Sequence, residues 1–156
     1  MENLEQELQL AFVDGSPPET VLVPAIEDWH PCEEEFASQL RGVRWQDVKT
    51  NVLEQNASCF FLMTAAAQFY YLPAYLKLIL RGDNPLLEEC VFEWLTEPHD
   101  PPKWGQYEFW LKILDDLTDD QRTIIAKIVQ AVDAISTEPG WAEGYEIERR
   151  RQFWNI

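Results

Sequence analysis

Two short segments carry the residues best suited to chemistry. His30, Cys32, Glu33 and Glu34 stand in "HPCEEE", and His99 and Asp100 in "PHD". Two imidazoles and a thiolate could approach a tetrahedral zinc site if their loops met. Nothing in the spacing requires that meeting, and a loop histidine beside a proline is ordinarily solvated, so no metal and no other cofactor is expected. A Cys–His nucleophile would need Cys32, Cys59 or Cys90 against one of the two histidines. The carboxylates around Cys32 would suppress its thiolate. Carboxylate pairs occur at Glu88-Glu89, Asp115-Asp116 and Asp119-Asp120. A glycosidase-like acid/base pair needs one buried carboxyl, whereas these runs read as helix ends and solvated faces. Tyr70, Lys77 and Arg81 form a candidate ligand pocket that would suit a small anionic or aromatic molecule. The competing reading of the neighbouring tyrosines, Tyr71 and Tyr75, is core with hydroxyls at its boundary. No phosphate-cradling glycine loop, HExxH, GxSxG or EF-hand pattern occurs.

Charge is the broader signal. Twenty-eight acidic residues face 12 basic ones, a formal net charge of −16. Such a field repels nucleic acid and anionic membrane surfaces and draws basic proteins and cations. Its plainest use is solubility. The acid is also clustered: Glu27 to Glu35 holds five carboxylates and Asp83 to Asp100 six, with no Lys or Arg in either. Glu88, Glu89 and Glu93 are therefore the candidate partner-binding residues. Loop aromatics Trp104 and Trp141 are the candidate anchors, because charge alone attracts any basic protein weakly and recognition needs a buried group. Three widely spaced cysteines without CxxC argue against a disulfide framework. The start "MENLEQELQL" has neither a basic n-region nor a long apolar h-region. A cytoplasmic location is expected.

These groups must be positioned by helices. Leu4, Leu8, Ala11 and Phe12 recur at helical spacing over about Glu2 to Val13. "VLV" at Val21 could be a short strand, but no second strand is evident to pair with it. Pro31 and Glu33–Glu35 suit the start of a second helix that Gly42 ends. Trp45, Val48 and Val52 mark a third, closing near Asn56. "FLMTAAAQFYYLPAYLKLIL" holds one charge, Lys77. With Thr64 as N-cap it reads as a core helix, too short for comfortable spanning at ~27 Å and broken in its ladder by Pro73, which predicts a kink. Phe69, Leu72, Leu76, Ile79 and Leu80 share its apolar side, with Ala66, Ala67, Tyr70, Ala74, Lys77 and Arg81 opposite. Gln68 falls on the apolar side and needs a hydrogen-bond partner if buried, a tyrosine hydroxyl being one choice. Pro85 opens the next helix. Tyr107, Trp110, Leu111 and Leu114 mark another, and "TDDQ" at Thr118 is a capping box before Ile124, Ile125, Ile128, Val129, Val132 and Ile135. A last short helix carries Arg149, Arg150 and Arg151 near its negative end.

The "LQLAF" segment with its Pro-containing extension, "FLMTAAAQFYYLPAYL" and "LTDDQRTIIAKIV", in that order, resemble an uncharacterised bacterial family whose members show "FLT", "YYLPAYL" and an "LT..Q" helix. Here Thr64-Ala65 stands where that family often has Thr-Pro. The resemblance implies a mostly helical fold and supplies no catalytic residues.

The expectation is one all-α domain over residues 1–156, of six to eight helices, with the Pro73 helix at its centre. The leading function is a non-enzymatic acidic interaction protein, immunity-like or inhibitory toward a basic partner. A small-molecule binder or enzyme using the Tyr70, Lys77 and Arg81 side, or the His30/Cys32 loop, is the other class.

Overall fold

A computed structural model describes residues 2–13, 15–23, 31–82, 84–96, 106–135 and 144–156. Among these residues are eight α-helices: α1 (Glu2–Ala11), α2 (Pro31–Leu40), α3 (Thr50–Gln55), α4 (Ala65–Ile79), α5 (Pro85–Trp94), α6 (Gln106–Asp116), α7 (Asp119–Ile135) and α8 (Gly144–Trp154). Two 3₁₀ segments, Trp45–Asp47 and Ala57–Leu62, flank α3. The fold is all-α, as the helical periods require. The expected third helix is split, its front turn being 3₁₀ and only Thr50–Gln55 being α.

Local chemistry sets the helix boundaries. The Thr64 hydroxyl accepts from the Ala67 amide at 3.2 Å, capping α4, and donates to the Thr20 carbonyl at 3.0 Å. Asn84 caps α5 through the Leu87 amide, 3.1 Å away, with Pro85 in the first turn. The capping box at α7 is complete: Gln121 Oε1 accepts from the Thr118 amide at 3.0 Å, and Thr118 Oγ1 accepts from the Gln121 amide at 3.3 Å. Gly42 follows α2 at φ +72°, a left-handed position that a side chain would strain.

"VLV" finds its partner just before α4. Leu22 forms an antiparallel bridge with Met63, fixed by Val23 N–H to Leu62 carbonyl at 3.0 Å and Thr64 N–H to Val21 carbonyl at 2.8 Å. The bridge ties the extended segment to the start of the central helix.

The core centres on the second 3₁₀ segment. Phe60 lies edge-on to Tyr75 at 4.9 Å and to Trp94 and Phe109 at 5.9 Å each, so one ring joins α4, α5 and α6. Such pairs add about 0.5–1.5 kcal/mol each beyond their burial. Helix α4 packs against α1, α5 and α6 and is enclosed almost all round. Leu72 and Leu76 are fully buried as expected, but so are Ala67 and, nearly, Ala74, which the sequence placed on the outer stripe. Small side chains there let neighbouring backbones close in. Pro73 sits inside α4 and is buried. No helix among the described residues is long and apolar enough to cross a membrane.

Candidate interaction surface

A buried charge cluster joins α5, α7 and α8. Asp133 on α7 accepts from Arg150 Nη2 at 2.7 Å and from Arg151 Nε at 3.2 Å. The Asp133 and Arg150 side chains are only 6 % and 7 % exposed. The Arg150 guanidinium also lies over the Phe92 ring at 4.7 Å. The sequence had assigned Arg150 to the helix dipole. Its side chain instead crosses to α7, because Asp133 offers a full charge inside the protein and a helix end only a partial one. Glu88 on α5 enters the same field. Burial pushes its carboxyl above the ordinary 4.5, Arg150 opposes that rise and Asp133 adds to it. Trp154 completes the junction by donating its indole N–H to the Leu95 carbonyl at 3.0 Å.

This divides the proposed acidic trio. Glu88 is half-buried and feels the charge of Arg150, while Glu89 on the same helix is exposed and Glu93 is half-buried. Burial first, then Glu89 and Glu93, raise the Cys90 thiol to about 11. Burial first, then Glu33 and Cys32, raise Cys59 to about 11. Glu33 of α2 and Glu89 of α5 thus approach two buried thiols that both influence Tyr75. Thiols this basic are packing groups, not nucleophiles. Cys32 is exposed. Trp104, Trp141, His30 and His99 lie outside the described residues, and no cluster able to hold a metal ion occurs among the described ones.

The tyrosine side of α4 is occupied by the protein itself. The Tyr71 hydroxyl donates to the Leu40 carbonyl at 2.6 Å and lies 2.9 Å from the Val43 carbonyl; burial, with a smaller push from Tyr70, raises it to about 12. Gln68, fully buried, donates not to a tyrosine but to the Phe60 carbonyl at 2.8 Å. Of the proposed pocket residues, Tyr70 lies edge-on to Tyr71 at 4.9 Å, Lys77 is half-buried, and Arg81 reaches Glu5 of α1 at 3.5 Å. A shallow concavity of about 240 Å³ lies elsewhere, lined by Gln130, Ala134, Arg151 and Ile156. Among the described lining residues Arg151 carries the one ionisable side chain.

The basic side chains largely turn back onto the protein. Arg41 pairs with Glu34, Arg44 with Asp47, Lys112 with Asp116 and Lys127 with Glu7. Arg122 of α7 donates to the Ile113 and Leu114 carbonyls, closing the C-terminal end of α6. Meanwhile Glu89, Glu108, Asp115, Asp119 and Asp120 stay exposed.

Helix α6 buries only part of the apolar set that marks it in the sequence. Its buried residues are Phe109, Trp110 and Ile113, while Tyr107, Leu111 and Leu114 are 53 %, 39 % and 40 % exposed. At 100° per residue the apolar arc from Phe109 to Leu111 spans roughly 200°, more than one core can cover. Trp110 borders the uncovered half and packs on Phe153 of α8 at 4.3 Å. Glu108 and Asp115 border the other side, within about 60° of Leu111. The sequence held this stripe in plain view as an i, i+4, i+7 pattern, but periodicity does not say which part of a wide arc is inside.

Residues 25–155 match the model of a family of unknown function, DUF6714. No curated protein matches the chain. No solved structure matches it either.

Proposed function

The chain belongs to that family of unknown function, and we propose that it is a non-enzymatic, acidic interaction domain of a bacterial cytoplasm that binds a basic protein, in an immunity-like or inhibitory role. The observation that carries this reading is the use of the cations: Arg41, Arg44, Arg81, Lys112 and Lys127 are paired with the protein's own carboxylates, so the outward field is set by the exposed acids. A net charge of −16 presented in this way steers basic surfaces and disfavours phosphate backbones. Glu89 and Glu93 on α5 contribute to the steering field, with Trp104 and Trp141 as the aromatic anchors that specificity needs. The small-molecule reading has less support, since Tyr70 and Arg81 already have partners within the protein.

The test is a pull-down from cytosolic lysate at about 0.05 M and about 0.5 M salt, repeated with Glu89→Gln/Glu93→Gln. Over that range the Debye length shrinks roughly threefold. One basic protein retained at the lower salt, and weakened by the double change, is expected. If no protein is retained at either salt and a small metabolite raises the melting temperature instead, the ligand-pocket reading replaces this one.

A further inference from the structure

We propose that the exposed face of α6, Tyr107–Leu111–Leu114, is the docking site for a basic amphipathic helix; this rests on the acidic-domain reading and supplies its contact surface.

Three observations select that occupant. The three side chains stand at i, i+4 and i+7 on an eleven-residue helix, the spacing at which one helix receives the apolar stripe of another. The stripe has a firm floor: Phe109 and Ile113 are fully buried beneath it, and Arg122 ties the end of α6 to α7. Its open border is acidic, with Glu108 and Asp115 exposed and in no ion pair among the described residues. Asp119 and Asp120 extend the same charge beyond the end of the helix.

The other occupants fit less well. A second copy would bring Glu108 and Asp115 against their own counterparts across a two-fold axis, where like charges repel. An anionic bilayer is disfavoured by the net charge of −16. A stable globular interface buries about 800 Å² per partner, more than three partly exposed side chains provide. One helix with leucine-like residues facing the stripe and Lys or Arg at its edge satisfies both the apolar area and the charge.

The experiment uses a labelled synthetic 18-residue Leu/Lys peptide with Leu at i, i+4 and i+7. A scrambled peptide of equal composition and a Leu/Glu peptide of the same pattern are the controls. Binding is read by fluorescence anisotropy at about 0.05 M and about 0.15 M salt. The patterned basic peptide should bind at least about tenfold tighter than either control, and Leu111→Ser/Leu114→Ser should remove most of that advantage. Both positions are exposed, and circular dichroism checks that the variant stays folded. Glu108→Gln/Asp115→Asn should weaken binding and flatten its salt dependence.

Equal binding of patterned and scrambled basic peptides, unaffected by the Leu changes, would overturn the α6 site while leaving the acidic-domain reading intact. No binding of any basic peptide at low salt would overturn both. A wild-type dimer in sedimentation that Leu111→Ser/Leu114→Ser dissolves would assign the face to self-association and refute the basic-helix partner.

Discussion

Removing the Asp133 carboxylate should cost the fold about 3 kcal/mol. Asp133→Ala deletes the acceptor of two charge-assisted hydrogen bonds, at 2.7 Å from Arg150 and 3.2 Å from Arg151. The two arginines then fare differently. Arg151 is 44 % exposed and can return to water at little cost. Arg150, at 7 %, is left as an uncompensated interior charge. Breaking such a pair from one side typically costs about 3–5 kcal/mol. The lower end applies here because the Glu88 carboxyl still shares a field with Arg150 and the Phe92 ring still faces the guanidinium. In a chain of this size about 3 kcal/mol lowers the melting temperature by roughly 6–12 °C. The assay is urea unfolding followed by circular dichroism, with the midpoint falling and the slope unchanged. Asp133→Leu combined with Arg150→Met should recover to within about 1 kcal/mol of the parent, because no charge is then stranded. A loss below about 1 kcal/mol for the single change would mean the pair behaves as a solvated one. A double variant as unstable as the sum of its parts would equally refute the reasoning.

Glu88 should give the opposite pH signature to a paired surface acid. Burial raises its carboxyl above 4.5, so over that window the folded chain keeps a proton that the unfolded chain has released. Stability from protonated Glu88 is therefore present below 4.5 and is lost as pH rises through the raised value. Glu88→Gln cannot ionise, so its urea midpoint should gain on the parent's between about pH 4 and about pH 7; a constant difference would show that the carboxyl is not desolvated. Leu72→Asp should abolish cooperative melting, since the side chain is fully buried and the new charge has no partner; a melt near the parental temperature would show the face of α4 misassigned.

The features legible in the sequence were those written within four residues. Thr64, Pro85, Gly42 and the Thr118/Gln121 box each announce a boundary through a local hydrogen bond or a fixed dihedral angle, and each stands where the sequence put it. What escaped depends on distant partners. Leu22 pairs with Met63 across forty-one residues, and a lone three-residue apolar run cannot name its mate. Phe60 sits in a 3₁₀ segment whose short period gives no amphipathic signal, yet three rings converge on it. Asp133 has no local pattern to mark it, because its partner Arg150 lies on another helix. The α6 stripe failed for a different reason: its apolar arc is so wide that the pattern fixes the helix but not its rotation.

The pairing of α1 with α7 has a kinetic consequence. Lys127 reaches Glu7 at 2.6 Å across 120 residues of chain, and Leu8 and Phe12 are buried. A ten-residue helix is marginal on its own in water. Closing a loop of that length costs about 4 kcal/mol in chain entropy, repaid only once α7 and α4 present a formed surface to receive those two side chains. Helix α1 is therefore expected to join the core late. Until it does, the face of α7 that it covers is open to water and available for association between chains. During that interval the same carboxylates that turn the finished surface negative hold incomplete chains apart by mutual repulsion.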